Sequence, residues 1–324
     1  MSDAGRAGRE SAARGGRTRS LREWSVAAAY GLLLVALAFL APAFFRPDYL
    51  RGLLVAKSTV LIVAVGMTLV IVARQIDISV GSQFSVCGVI AGLLAKGGWP
   101  MPVVAAGTVA CGALMGACNG GLVAVVGLPS IVVTLATMAI FRETLRWARE
   151  GEFVLGLPDD FQWFGLGQLT GQWTVILTAA AFFLVAAWCL RSLAGGRAVY
   201  AVGSDAEAAR LAGMRPRLVV FSVFTAMGAI TGLAALLGAI QFGVVDPNAG
   251  AGLELQVIAA AVVGGTAISG GRGTLFGTLV GVALLGTIGP ALVFLNAEPQ
   301  WEKAVQGLII LAAVATDAFE GRRR

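Results

Sequence analysis

The 324-residue chain contains no histidine, which excludes Ser-His-Asp triads, HExxH zinc sites and histidine-ligated haem. Lysine occurs only at Lys57, Lys96 and Lys303. None follows the GxxxxG of a phosphate-cradling loop; the nearest approach, Gly52 to Ser58, has Ala56 where that loop needs glycine. ATP hydrolysis by that device is therefore excluded. Charge is scarce as well, at 13% of residues against about 25% in soluble domains. With 57% hydrophobic residues and a mean hydropathy of +0.83, the chain cannot cover itself with water-facing side chains. Nucleic-acid binding, a disordered scaffold and an ordinary soluble enzyme are ruled out, despite a pI near 9.6 and a net charge of +6. Cys87, Cys111, Cys118 and Cys189 lie in apolar runs without CxxC spacing and read as small buried hydrophobes, not disulfides or metal ligands. No catalytic residue, metal or cofactor is expected.

What is present is a series of apolar runs long enough to cross about 30 Å of hydrocarbon. The expected class is all-α, a polytopic membrane protein of about ten spans: Trp24 to Phe45, Gly52 to Ala73, Val80 to Ala95, Pro102 to Val126, Pro129 to Phe141, Trp173 to Leu190, Leu218 to Ile240, Leu253 to Ile268, Thr274 to Leu295 and Ala304 to Ala318. Residues 1–23 read as a disordered basic tail, 24–318 as the transmembrane domain and 319–324 as a short basic tail. With both termini cytoplasmic, sixteen Lys and Arg fall on inside segments and seven outside, the bias that orients membrane proteins. The basic charge is thus a record of orientation. Among the 44 glycines, Gly112, Gly116 and Gly120 recur every fourth residue, as do Gly273, Gly277 and Gly281, with Gly228 and Gly232 as a shorter ladder. Such ladders let helix backbones approach in lipid.

Two segments interrupt the spans alike. Ile76 to Ser82 precedes the third span and Thr266 to Gly273 the ninth; both contain Ile-Ser-x-Gly, suggesting an internal duplication of about 190 residues. Unwound backbone at membrane depth must be satisfied by protein or by a water-filled route, so such breaks tend to mark solute paths. Asp77 is the costliest group there, with Arg74 its expected partner if its role is structural. Asp77, Ser79, Ser82, Asn119, Thr134, Asn248, Glu254 and Ser269 are the candidate path residues, each with the alternative of a helix–helix hydrogen bond. On the inside, Ser204 and Glu207 form a capping box and Gly213 a stop, encoding a helix of about eight residues. Ala206, Ala208, Ala209 and Ala212 give it a small-residue surface. A helix this short is marginal in water, so it expects a partner or the membrane surface to hold it.

Six ordered motifs, "IDISVGS" at Ile76, Asn119-Gly120, "PSIVVTLATM" at Pro129, "EAARLAGM" at Glu207, "PNAGAGLELQ" at Pro247 and "AAAVVGGTAISGGRG" at Ala259, resemble the ribose-type permeases of bacterial sugar-importing ABC transporters, from about residue 50 to 317. The resemblance implies a non-enzymatic transmembrane subunit in the inner membrane. Its implied partners are a separate cytoplasmic ATPase, a periplasmic solute-binding protein, and a second copy or a sister permease. It also makes Ser204, Asp205, Glu207, Ala208, Ala209, Arg210 and Gly213 the helix that couples to the ATPase. Arg74-Gln75 stands where many such permeases have Gly-Gly, and with "GLPDDF" at Gly156 it looks closer to the rhamnose and autoinducer-2 subgroups. The expected solute is rhamnose or a related deoxysugar, with autoinducer-2 as the alternative; an ion-coupled carrier is the rival mechanism.

Overall fold

A computed structural model describes residues 24–298, 300–309 and 311; the basic tails at 1–23 and 319–324 lie outside the described residues. Helices α1 (Trp24–Leu40), α2 (Pro47–Val72), α3 (Val80–Lys96), α4 (Met101–Gly121), α5 (Ser130–Arg149), α6 (Gln168–Ser192), α7 (Ala194–Ser204), α8 (Ala206–Leu211), α9 (Pro216–Ala239), α10 (Leu253–Val263) and α11 (Leu275–Phe294) follow in order, and a last helix covers 301–309. Among the described residues the sole isolated β-bridge joins Val154 to Val245. The chain is all-α and polytopic: five helices are long and apolar enough to span a bilayer, and three apolar ones are shorter.

Local chemistry places the helix starts. Proline occupies the first turn of α2, α4 and α9, where its missing N–H is no loss. Thr274 caps α11 by accepting from the Gly277 amide at 3.1 Å. Helix α2 has 26 residues, about 39 Å at 1.5 Å per residue; its first turns carry Asp48, Arg51 and Lys57, and from Ser58 to Val72 it is enclosed by protein on nearly every side. Helix α6 is the opposite case. Its Leu177, Leu184 and Trp188 are exposed, a surface that water would not tolerate but acyl chains would.

The glycine ladders are packing devices. A Cβ on Gly112 would strike the Gly228 carbonyl and one on Gly228 the Gly112 carbonyl, while Gly116 faces the Phe224 carbonyl and Gly232 that of Thr108. This knits α4 to α9 at backbone contact, the closeness that small residues allow in membranes. Gly264 and Gly277 meet in the same reciprocal way, and Gly281 lies on the Ala260 carbonyl, joining α10 to α11. Gly273, the first rung of that ladder, instead faces Thr266 and Val72.

Three expected spans differ from the structure. The fifth helix runs on to Arg149, because its charged Arg142–Arg149 stretch stays helical instead of ending the span. The first ends at Leu40 and gives way to a 3-10 turn, Pro42–Phe45. The eighth is an 11-residue half-helix, Leu253–Val263, about 16 Å long, closed by Gly264 and by Gly265 in the left-handed region (φ 95°). The stretch 241–252 before it is irregular and runs beside α3, with Val245 against Gly88 and Gly92, and Gly250 against Gly81. Its backbone is partly satisfied from α3 itself, since the Gly250 amide donates to Ser85 Oγ at 3.0 Å.

Candidate functional site: two broken helices, a polar cavity and a docking end

Helices α3 and α10 begin next to each other. The Glu254 side chain, in the first turn of α10, reaches Gly81 in the first turn of α3, so one carboxylate serves two helix N-termini, where negative charge is favoured. A side chain at Gly81 would displace both Glu254 and the Gly250 backbone. The close approach is the reason glycine stands there.

The break before α3 is held by a buried polar knot. Asp77 Oδ1 accepts from the Ser79 amide at 2.9 Å and from Ser79 Oγ at 2.6 Å. Gln83 Nε2 and Asn119 Nδ2 both donate to Ser79 Oγ, at 2.7 and 2.8 Å, and Gln83 Nε2 approaches Asp77 Oδ2 at 3.4 Å. Asp77, Ser79, Gln83 and Asn119 are all fully buried or nearly so. Helix α5 closes the other side: Ser130 Oγ accepts from the Ile76 amide at 3.3 Å, and Thr134 Oγ1 donates to the Ile76 carbonyl at 3.3 Å. The expected Asp77–Arg74 partnership is absent among the described residues. Arg74 adopts a left-handed backbone (φ 62°) and its Cα and Cβ lie against Gly270, while neutral donors meet the carboxylate instead. Gln83, which completes the knot, was not singled out from the sequence; its signal is a polar side chain four residues after Ser79, and so on the same helix face.

Beside the knot is a cavity of about 200 Å³ whose walls include Ser82 and Ser85 of α3, Arg142 and Arg146 of α5, and Asn248 and Ala251 of the irregular stretch. Arg142 Nη2 lies 3.6 Å from Glu254 Oε1. Of the expected path residues, Ser82 and Asn248 line this cavity, and Glu254 stands behind Arg142. Asp77, Ser79, Asn119 and Thr134 belong to the knot. Ser269 is apart: it is exposed, in the loop whose next residue, Gly270, packs on Arg74 and the Gly203 carbonyl.

That loop packs against the end of α2 and the last turn of α7. The Gly271 amide donates to the Val72 carbonyl at 2.8 Å, and Gly203 of α7 rests on the same carbonyl. Tyr200 Oη donates to the Gly273 carbonyl at 2.9 Å. The last turn of α7 is thereby wedged against the end of α2 and the α10–α11 loop. Immediately afterwards comes α8, and here the capping assignment is corrected. Ser204 is the last residue of α7; the cap is Asp205, whose Oδ1 accepts from the Glu207 and Ala208 amides at 2.9 and 3.0 Å. A carboxylate one residue along competes successfully with the serine for the same role. Glu207 turns away from its expected capping-box position to pair with Arg210 at 2.6 Å, and the Arg210 guanidinium holds its carboxyl below the usual glutamate range. Helix α8 is six residues long. Ala209 is buried among Val123, Val202 and Phe224 and anchors it, whereas Ala206, Ala208, Ala212 and Leu211 face out. Gly213 ends it in the left-handed region (φ 83°).

Discontinuous helices around a polar cavity, with a short capped helix braced at one end, are the parts of a membrane permease. Residues 49–314 match the protein-family model described as "Branched-chain amino acid transport system / permease component", and the chain belongs to that family of permease components. It is 34% identical over 302 residues, 90% of this chain and 86% of the relative, to the autoinducer 2 import system permease protein LsrC of Escherichia coli (strain K12 / DH10B). The identity to the LsrC proteins of E. coli O9:H4 (strain HS) and Salmonella typhi is 35% and 33%, over 90% and 94% of this chain and 86% of each relative. No solved structure matches. The chain is accordingly an ABC permease subunit of the sugar-importing type and a multi-pass inner-membrane protein, as its motifs led one to expect.

Proposed function

We propose that this chain forms the membrane path of an ATP-driven importer for autoinducer-2. The observation that carries the solute is the likeness, over nine-tenths of the chain, to permeases named for autoinducer-2 import. Rhamnose, the first expectation, has no support among these relatives. The family description mentions branched-chain amino acids, but a family spanning several solutes constrains a particular solute less than relatives matching almost end to end.

ATP is bound and hydrolysed on a separate cytoplasmic subunit that receives α8. Asp205 and Arg210 keep the helix folded, Ala209 fastens it, and Ala206, Ala208, Leu211 and Ala212 form the surface that enters the partner. Ser204 and Gly213 mark its two ends. ATP binds the closed form of its subunits more tightly than the open one, and that difference shifts the equilibrium. Gly203 carries the shift to Val72 and Gly271, and from there to the breaks before α3 and after α10. Autoinducer-2, delivered by a periplasmic binding protein, passes the cavity walled by Ser82 and Asn248. The knot of Asp77, Ser79, Asn119 and Thr134 keeps the broken backbone satisfied, Glu254 joins the two half-helices, and Ser269 lies on the transmission loop. A second copy or a sister permease completes the pore within the bilayer.

The test is replacement. An E. coli strain lacking LsrC and expressing this chain together with its own ATPase, binding protein and any sister permease should clear autoinducer-2 from the medium; a strain that clears rhamnose instead overturns the solute assignment.

A further inference from the structure

A second and larger cavity, about 470 Å³, adjoins the polar one, since Ser85 lines both. Its walls come from α2, α3, the last turns of α9 and the irregular stretch 241–252, with Phe153 added from the chain after α5. The Val154–Val245 bridge holds that chain in place. Helix α9 begins just after α8 and runs 24 residues, about 36 Å. Gln241 and Phe242, just past its far end, therefore stand a hydrocarbon thickness away from the docking helix. That is the side on which an importer receives its solute.

The walls define what this cavity can hold. Phe84, Phe153 and Phe242 all line it, and Phe242 and Phe153 are 62% and 48% exposed, so aromatic surface is left uncovered there. Gln241 Nε2 donates to the Leu237 carbonyl at 2.9 Å, and Asp246 Oδ1 accepts from the Asn248 amide at 2.8 Å. Gln241 Oε1 and Asp246 Oδ2 remain as acceptors. Ser85 Oγ accepts from the Gly250 amide and keeps its own proton to donate. No lysine or arginine lines the cavity, so an anion would meet Asp246 with no cation to offset it. A cation would leave the Ser85 proton unmet and would next face Arg142 and Arg146 in the adjoining cavity. An acyl chain would strand the Asp246 carboxylate and lie against irregular backbone, which lipid does not tolerate. A neutral cyclic polyol meets every wall: its hydroxyls donate to Asp246 and Gln241, and its weakly positive C–H face rests on the negative face of an aromatic ring.

We infer that Phe153, Phe242 and Asp246 form an outer subsite of the solute route, which takes a neutral cyclic polyol by stacking it on the phenylalanines and accepting its hydroxyls at the carboxylate. Asp246 selects against sugar phosphates, and Ser85 stands where this chamber opens to the polar cavity. The inference rests on the reading of this chain as the path of an importer.

The decisive variant is Phe153→Leu with Phe242→Leu, which keeps apolar bulk at two exposed positions and removes the aromatic faces; Phe153→Tyr with Phe242→Tyr restores them. Two measurements apply. In the purified full-length chain, D-ribose and L-rhamnose serve as neutral probes, ribose 5-phosphate as the anionic one and choline as the cationic one. At least one neutral sugar should raise the melting temperature of the wild type and of the tyrosine variant more than that of the leucine variant, and neither charged probe should match it. No protection by either sugar, equal protection of the leucine variant, or stronger protection by ribose 5-phosphate or choline overturns the inference. In the reconstituted transporter supplied with saturating loaded binding protein, uptake per ATP should fall about threefold or more in the leucine variant, the effect of losing an aromatic contact, and recover in the tyrosine variant. Wild-type uptake by the leucine variant removes the phenylalanines from the route, and a tyrosine variant no better than the leucine one assigns them a packing role; either result overturns the inference. A wild-type complex that imports neither autoinducer-2 nor rhamnose overturns the functional reading above, and the melting measurement still decides what the cavity holds.

Discussion

Gly203→Ala attacks the link between α8 and the broken helices without touching either. A Cβ at this position falls on the Val72 carbonyl and against the Gly271 amide. Both obstacles are backbone and cannot rotate aside. Relief requires α7 to back away from α2, or the Gly271-to-Val72 hydrogen bond of 2.8 Å to open. Overpacking of this kind costs about 1–3 kcal/mol, and the lost hydrogen bond about 1 kcal/mol more. The penalty is local to one junction, and the α4–α9 and α10–α11 interfaces stay intact, so the variant should still insert and assemble. Its signature is uncoupling: ATP hydrolysis by the reconstituted complex continues while solute uptake per ATP falls about tenfold or more, as expected when over 1.4 kcal/mol is lost from the transmitting contact. Uptake per ATP equal to the wild type would refute the claim that this glycine transmits motion. A complex that fails to assemble would show that the contact is needed for folding instead.

Gly228→Ala should lower thermal stability by about 1–3 kcal/mol, because its Cβ meets the Gly112 carbonyl and the Gly116 Cα; a melting curve in detergent checks this. Asp205→Ala removes the single oxygen that accepts both capping hydrogen bonds of α8 and should destabilise that helix by about 1 kcal/mol, lowering solute-stimulated ATPase activity, while Asp205→Ser retains most of it. Glu207→Arg exchanges the Arg210 ion pair for repulsion and should abolish coupled uptake with membrane insertion unchanged; wild-type uptake would remove α8 from the coupling role. Asp77→Asn turns one acceptor of the knot into a donor facing Gln83 and should impair uptake more than Asp317→Asn, which lies outside the described residues; equal tolerance would make Asp77 a bystander.

Much of the helix order was legible because apolar length and breaker residues are local signals. Helices α2, α3, α4, α6, α9 and α11 fall within a few residues of the hydropathy runs. The glycine ladders also announced their role, since a four-residue repeat of small side chains has few uses other than close packing. Reading failed where tertiary contacts decide. The eighth span was read on to Ile268, whereas its helix ends at Val263, where Gly264 packs on the Gly277 carbonyl and Gly265 turns into the left-handed region. Ser204 looked like the cap because Ser-x-x-Glu is the familiar pattern, yet Asp205 is as good a cap and is the residue with extended backbone (φ −154°). For Asp77, charge suggested Arg74; the fold supplied neutral donors from Ser79 and Gln83 instead. Arg142 and Glu254, 112 positions apart in sequence, meet only because α5 and α10 flank the start of α3. The second Ile-Ser-x-Gly break packs on the residues just before the first, through the Gly271–Val72 bond and the Arg74–Gly270 contact.

The central claim is that this chain moves its solute only as the passive partner of a separate ATPase. The direct measurement is uptake of labelled autoinducer-2 by cells that express the chain and its binding protein, with and without the ATPase subunit, before and after an ionophore abolishes ion gradients. Removing the ATPase should stop uptake, and the ionophore should leave it intact while ATP is maintained. Uptake that survives loss of the ATPase and stops with the ionophore would contradict it and identify an ion-coupled carrier.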